Sequence, residues 1–251
     1  MSFTVIIPAR YQSTRLPGKP LLDILGKTMI QRVYEQARKS GCHRVIVATD
    51  DKRVFNEVKR FGGEVTMTAV THVSGTDRIQ EVAELEDLPD DEIVVNVQGD
   101  EPLIPPTAIN QVAENLVKNS CFMSTLYERI LSAKELFDPN VVKLVTNNSG
   151  MALYFSRAPI PWDRDVFNQE PKVLSQALDY KRHIGIYAYR VSALNQFVQW
   201  PVAAIEDVEK LEQLRIMAEG ESIFVDEAIE AFPAGIDTSE DLRRTIDYLE
   251  K

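Results

Sequence analysis

Phe3-Thr-Val-Ile-Ile-Pro8 and the loop behind it, Arg10-Tyr-Gln-Ser-Thr-Arg-Leu-Pro-Gly-Lys-Pro-Leu21, set the reading of the whole chain. The first stretch is an apolar run of the length of a buried strand. The second puts Arg10, Arg15 and Lys19 into one short loop, interleaved with the hydroxyls of Ser13 and Thr14 and turned by Pro17-Gly18. Open α/β sheets bind ligands beyond the carboxyl ends of their strands, which is where this loop stands. A lone surface Arg or Lys is ordinarily solvated charge. Three cations at one strand end, in a chain of net charge −10, point instead to a specific polyanion. A nucleoside triphosphate fits, because its spread-out charge needs several donors at once. The loop is not a P-loop: Ser13 stands where that motif has its first glycine, and Pro20 where it has a hydroxyl for Mg²⁺.

The remaining composition narrows the function class. With 38 acidic against 28 basic residues, the global field repels nucleic acid and anionic membrane, so neither is an expected partner. Hydrophobic residues at 44% suffice for a sizeable core in a chain of 251 residues. The chain enters a strand at once, without the basic and apolar regions of a signal peptide, and no stretch approaches the roughly 20 apolar residues of a membrane span. Cys42 and Cys121 have no metal-binding spacing, and His43, His72 and His183 are scattered, which leaves a zinc cluster without support. Two small thiols of this kind suit the cytoplasm.

Strands alternate with helical patterns through the first half. Met29, Ile30, Val33 and Ala37 form one helical face, and Val45-Ile-Val-Ala48 reads as the next buried strand. Val54, Phe55, Val58 and Phe61 mark a helix ended by Gly62-Gly63, and Glu64 to Thr68 a short strand. Ile79, Val82 and Ala83 lie on a helix, Ile93-Val-Val-Asn-Val97 is a central strand, and Ile109, Val112, Ala113 and Leu116 make a further helix. The second half differs. Asn147-Asn-Ser-Gly150 between two apolar runs is a hairpin signal, residues 156–181 form a Pro-containing loop, and Ile184 to Tyr189 resumes a strand. Val208, Leu211 and Leu214 predict one helix, and Thr238-Ser-Glu-Asp241 has capping-box spacing before a last helix carrying Leu242, Ile246 and Leu249. The expected fold is α/β, a Rossmann-like, mostly parallel sheet flanked by helices with an antiparallel lobe in the second half. One domain over residues 1–251 is expected, its first half at 1–120 and its second at 121–251.

The loop motif resembles the signature of the sugar-activating nucleotidyltransferases. Further stretches resemble one branch of them, the 3-deoxy-manno-octulosonate (Kdo) cytidylyltransferases. These are Ser74-Gly-Thr-Asp-Arg78, Asn96-Val-Gln-Gly-Asp-Glu-Pro102, Tyr154-Phe-Ser-Arg-Ala-Pro-Ile-Pro161, His183-Ile-Gly-Ile-Tyr-Ala-Tyr189, Leu211-Glu-Gln-Leu-Arg215 and Gly235-Ile-Asp-Thr-Ser-Glu-Asp241. They run through the chain in order. The resemblance implies a nucleotide-diphospho-sugar transferase type of fold, with a nucleotide half at 1–120 and a sugar and dimerisation half at 121–251. It further implies CTP and Kdo as substrates, CMP-Kdo and pyrophosphate as products, Mg²⁺ as cofactor, a place in lipopolysaccharide biosynthesis, and a homodimer built through residues near 156–190.

It also implies roles. Asp100 and Asp237 hold Mg²⁺; a strand-end Asp is otherwise often a turn cap. Arg10, Ser13, Arg15 and Lys19 hold the triphosphate, with Lys19 and Arg15 on the departing pyrophosphate. Ser74, Gly75, Thr76 and Arg78 read the base, although Thr76 also suits a helix N-cap, and Gln98 reaches the nucleotide's sugar. Arg157 forks onto the acid sugar's carboxylate. His183 and Tyr187, on one face of a strand, and Glu212 and Gln213, on the next helix, take its hydroxyls. A His and a Tyr so placed are otherwise common half-buried core. The rivals are activation of another acid sugar such as a sialic acid, a nucleotide-sugar glycosyltransferase, and a non-enzymatic nucleotide-binding module. Asp50-Asp51 lacks the Asp-x-Asp spacing common in the second, and no G-x-G-x-x-G follows the first strand to support a dehydrogenase.

Overall fold

In this computed structural model, residues 2–12, 16–72, 74–170, 172–233 and 235–250 are described. The first half runs β1 (Thr4–Pro8), a 3-10 turn (Lys19–Leu21), β2 (Asp23–Ile24), β3 (Lys27–Thr28), α1 (Met29–Ala37), β4 (Arg44–Thr49), α2 (Lys52–Arg60), β5 (Glu64–Met67), α3 (Gly75–Leu85), β6 (Ile93–Asn96) and α4 (Pro106–Lys118). The second half runs β7 (Met123–Arg129), α5 (Ala133–Leu136), β8 (Lys143–Thr146), β9 (Ala152–Ser156), β10 (Lys181–Arg190), α6 (Val191–Phe197), α7 (Ala204–Glu209), α8 (Gln213–Ala218), β11 (Ile223–Glu227) and α9 (Ser239–Leu249).

Among the described residues, nine strands make one sheet in the order β11-β7-β10-β6-β1-β4-β5, with β8 beside β10 and β9 beyond it. β1 runs parallel to β4 and β6, and β4 parallel to β5. β10 then runs antiparallel to β6, β7 and β8. From Val5 to Ile7, β1 is apolar because helices cover both faces. Its alternation sends Val5 and Ile7 to a core with Ile30, Val33, Val54, Ile109 and Val112, and Ile6 to another with Ile79, Val82 and Leu194. A small third cluster joins Leu16, Ile24, Met29 and Ile236, against which Leu242, Ile246 and Leu249 of α9 pack. This docks the last helix on the loop after β1. The reciprocal Thr238–Asp241 cap starts that helix as its spacing predicts.

Some expectations change. β7 and β11 escape the sequence patterns, because β7 carries polar residues on both faces. The helix predicted through Val208, Leu211 and Leu214 is two: Lys210 turns left-handed at φ 54°, and Val208 is 84% exposed. A buried pair, with the Arg215 guanidinium on both Glu206 oxygens at 2.7 and 2.8 Å, ties α8 back to α7. The break puts Glu212 and Gln213 at the start of α8. Ser74, rather than Thr76, caps α3, accepting from the Asp77 amide at 3.1 Å.

Two glycines shape the turns that carry charged residues to the ligand edge of the sheet. Gly18, at φ +70°, opens the turn that carries Lys19. Gly99 lies against the end of β1, and a Cβ there would stand 2.8 Å from the Pro8 carbonyl oxygen. That neighbour is backbone and has little room to yield. Gly99→Ala is therefore expected to cost about 1–3 kcal/mol, read as a lower urea midpoint with the far-UV circular dichroism kept. A midpoint equal to wild type would contradict the close approach.

Candidate active site

Lys19 stands at the meeting point of three distant segments. Its Nζ donates to Asp100 Oδ2 at 2.6 Å and to Asp237 Oδ1 at 2.9 Å. Gly18 and the 3-10 turn deliver the lysine, the turn after β6 delivers Asp100, and the segment leading into α9 delivers Asp237. Burial opposes the charge on Lys19, but the two carboxylates more than offset it and its pKa rises above the ordinary value. The lysine side chain is only 12% exposed, whereas those of Asp100 and Asp237 are 35% and 49% exposed. The carboxylates thus keep open faces on the cavity beside them. Two carboxylates gathered around a cation suit a hard divalent ion, which takes one or two protein oxygens and completes its shell with water and phosphate. Among the described residues there is no group of three or more His, Cys, Asp or Glu side chains that could hold a metal by itself.

A cavity of about 800 Å³ opens from this cluster. Gly75, Thr76, Gln98, Asp100, His183, Tyr187, Glu212, Gln213 and Asp237 all line it, so most of the sequence-predicted residues come together. The Thr76 hydroxyl donates to Glu212 at 2.8 Å, linking α3 to the start of α8. The Gln98 amide points to Asn96 Oδ1 at 3.3 Å and the Gly185 carbonyl at 3.4 Å. His183 meets Phe155 edge-on at 4.9 Å between ring centroids and Tyr187 at 5.5 Å. Burial pushes the His183 pKa down to about 3, so its ring is neutral, and pushes the Tyr187 phenol well up. His183 and Tyr187 thus offer a neutral donor and acceptor surface, which suits hydroxyl groups.

Other predicted residues stand elsewhere. Arg10 lines a second cleft with Tyr11, Pro17 and Asp50, and donates to the carbonyls of His72 at 2.7 Å and Ser74 at 3.1 Å. Arg78 is wholly buried and bonded to Thr68 and, at 2.7 Å, to Asp50. It reaches the second cleft through Asp50 rather than by itself. Arg157 gives its guanidinium to the carbonyls of Glu209 at 2.7 Å and Pro139 at 3.0 Å, and does not line the large cavity. Ser13 and Arg15 lie outside the described residues.

Some cavity residues were not singled out from sequence. Glu101 lines the wall, and its buried Oε2 has no hydrogen-bond partner among the described residues. Burial, and then the charge of Asp100, push its carboxyl pKa well up. Its place directly after Asp100 is the signal that could have found it. Asn96 and Tyr189 line the floor, and Arg182 and Lys210 are cations of the wall. Arg182 sits next to His183 in sequence, so it too was within reach.

Comparison with known proteins fits this arrangement. Residues 4–223 match the cytidylyltransferase family. The chain belongs to that family. It is 58% identical to the 3-deoxy-manno-octulosonate cytidylyltransferase of Saccharophagus degradans over 247 residues, 97% of each chain. It is 57% identical to the enzyme of that name from Aliivibrio fischeri over the full length of both. A solved structure of CMP:2-keto-3-deoxy-manno-octonic acid synthetase complexed with CTP superposes with a TM-score of 0.90 at 42% identity, covering 99% of this chain and 98% of that one.

The neutral histidine gives this cytidylyltransferase a pH signature. Unfolded, His183 takes up its proton near the ordinary 6.5; folded, only near about 3. The stability tied to the neutral ring is whole above the unfolded value and is lost as pH falls toward the folded one, at most about 1.4 kcal/mol per pH unit. His183→Gln is expected to flatten the fall in urea-unfolding stability between pH 6.5 and about 5, other titrating groups being common to both proteins. An unchanged slope would contradict the buried, neutral ring.

Proposed function

We propose that this chain is a Mg²⁺-dependent cytidylyltransferase that joins CTP and Kdo to give CMP-Kdo and pyrophosphate. The observation that carries the reading is the Lys19 ammonium between Asp100 and Asp237, at one end of a cavity whose other wall presents His183, Tyr187, Glu212 and Gln213. The names of the similar enzymes and the CTP in the solved neighbour support the choice of substrates.

The anomeric hydroxyl of the sugar gives up its proton to solvent and its oxygen attacks the α-phosphorus in line. The bond from that phosphorus to the bridging oxygen breaks, and pyrophosphate leaves with the electron pair. Such a transfer asks the protein mainly for alignment and charge neutralisation. Arg10 and Lys19, with Ser13 and Arg15, take the triphosphate, and Lys19 with Arg15 balances charge on the leaving pyrophosphate. Asp100 and Asp237 are the residues that would hold Mg²⁺, which when bound polarises the α-phosphate and lowers the pKa of the attacking hydroxyl. Ser74, Gly75 and Thr76 take the base, Arg78 supports that side through Asp50, and Gln98 faces the nucleotide's sugar. His183, Tyr187, Glu212 and Gln213 orient the Kdo hydroxyls. The resemblance gives the acid sugar's carboxylate to Arg157, but its guanidinium is held by the Glu209 and Pro139 carbonyls outside the cavity, so the carboxylate is assigned to Arg182 and Lys210, the cations that line this wall.

In this reading one catalytic domain spans the chain, with residues 1–120 serving the nucleotide and 121–251 serving the sugar. A second copy of the chain is the partner, meeting it through residues near 156–190. Trp162 and Val173, 52% and 51% exposed, support an apolar contact there. The reaction is assigned to the cytoplasm, which the two free cysteines suit. Among the described residues no helix is long and apolar enough to cross a membrane.

Pyrophosphate release from CTP and Mg²⁺ tests the reading directly, with Kdo, with N-acetylneuraminate and with no sugar. Release is expected with Kdo alone. Release driven by N-acetylneuraminate and not by Kdo would overturn the sugar, and equal release without sugar would make the chain a hydrolase.

A further inference from the structure

The wall of the cavity has a polarity that begins two side chains behind it. On β10 the pairing with β7 slips: Ile184 stands opposite Leu126 and Tyr187 opposite Thr125, which leaves Gly185 and Ile186 as a bulge. The bulge turns two backbone carbonyls toward one hydroxyl. Thr125 Oγ1 lies 2.7 Å from the Ile186 oxygen and 3.0 Å from the Ile184 oxygen, in a side chain that is wholly buried. Its third neighbour is His183 Nε2, at 3.0 Å.

A threonine hydroxyl has one proton, and a carbonyl oxygen can only accept. With the proton on the carbonyls, the third neighbour has to donate, so Nε2 carries hydrogen. The opposite assignment would aim the hydroxyl at a bare Nε2 and leave its oxygen facing two carbonyl oxygens without a proton, away from water. A buried polar contact of that kind is strongly disfavoured. The His183 ring is neutral and holds one proton, so Nδ1 is then a bare acceptor. Nδ1 faces the Gln213 amide nitrogen at 3.5 Å, a long contact that a better donor can replace. The edge-on Phe155 ring holds the imidazole plane in place.

We propose that Thr125 is a positioning residue that fixes His183 in its Nε2–H tautomer, so that Nδ1 and the Gln213 carbonyl oxygen are presented as acceptors to hydroxyl groups of the sugar. The sugar part rests on the function proposed above; the tautomer does not. The same directionality orients Gln213, whose amide nitrogen is turned to the ring and whose oxygen remains for the ligand. The site therefore selects a substrate that donates at this point, a polyol rather than a bare carbonyl or ether.

Histidine-selective ¹⁵N spectra of the full-length, ligand-free protein test the tautomer, and steady-state kinetics test its use. In wild type, and in Thr125→Ser, His183 is expected to show a protonated Nε2 and an unprotonated Nδ1. In Thr125→Val, nearly isosteric but without the hydroxyl, the two tautomers should mix. The KM for Kdo should then rise roughly 3- to 10-fold, with the KM for CTP and kcat little changed, and Thr125→Ser should restore it. An Nδ1–H tautomer in wild type overturns the proposal without need of any variant. So does a Thr125→Val protein whose tautomer stays pure. A tautomer lost in Thr125→Val with an unmoved Kdo KM upholds the Thr125 role and overturns the assignment of His183 to the sugar.

Discussion

The rest of the site depends on one charge balance, the Lys19 ammonium between the carboxylates of Asp100 and Asp237. Two carboxylates this close repel each other unless a cation stands between them. The three residues come from a turn after the first strand, a turn after a central strand and the approach to the last helix, so the contact closes most of the chain into one loop. The packing of α9 on Leu16, Ile24 and Met29 supports it from below, and Gly99 supports it from the side by letting the turn after β6 rest on β1. In an acidic chain, Lys19 is a cation held at this edge by fixed partners rather than by a general field.

The second constraint is the reversal of strand direction between β6 and β10. Up to β6 the sheet is parallel and its loops serve one ligand edge. β10 enters antiparallel, pairing Tyr187 with Asn96. This brings the end of β6, with Gln98 beyond it, beside the bulge at Gly185 and Ile186. The cavity occupies that joint. Its two walls differ in kind: one gathers Lys19, Asp100 and Asp237, the other sets the neutral side chains of His183, Tyr187 and Gln213 among Glu212, Arg182 and Lys210.

How much of this was legible depends on what each residue does locally. β1, α1, β4 and α4 follow from apolar periodicity because their burial is set by their own sequence. The hairpin at Asn147 was visible because its side chain accepts from the Ser149 and Met151 amides, a local bond. β7 was not, since Ser124 and Thr125 are buried polar residues whose partners, the Val112, Ile184 and Ile186 carbonyls, come from elsewhere in the chain. The break at Lys210 was hidden for a similar reason: a left-handed lysine is unusual, and the Arg215–Glu206 pair that holds the two short helices together is tertiary. Arg78 and Arg157 show the same limit at the site. Sequence shows a guanidinium and a motif, but only the fold shows that Asp50 and the carbonyls of Glu209 and Pro139 already engage them. Residues with a role in a turn were readable from local pattern, whereas a residue such as Asp237, whose partner is distant, was reached only through the resemblance.

The central claim is that two aspartates distant in the chain, one after a central strand and one before the last helix, form one cation seat. Mn²⁺ titration followed by electron paramagnetic resonance, in the presence of CTP, tests it most directly. The account requires that Asp100→Asn and Asp237→Asn each weaken Mn²⁺ binding by at least about tenfold, with Lys19→Met retaining the site. Unchanged Mn²⁺ affinity in either aspartate variant would contradict it.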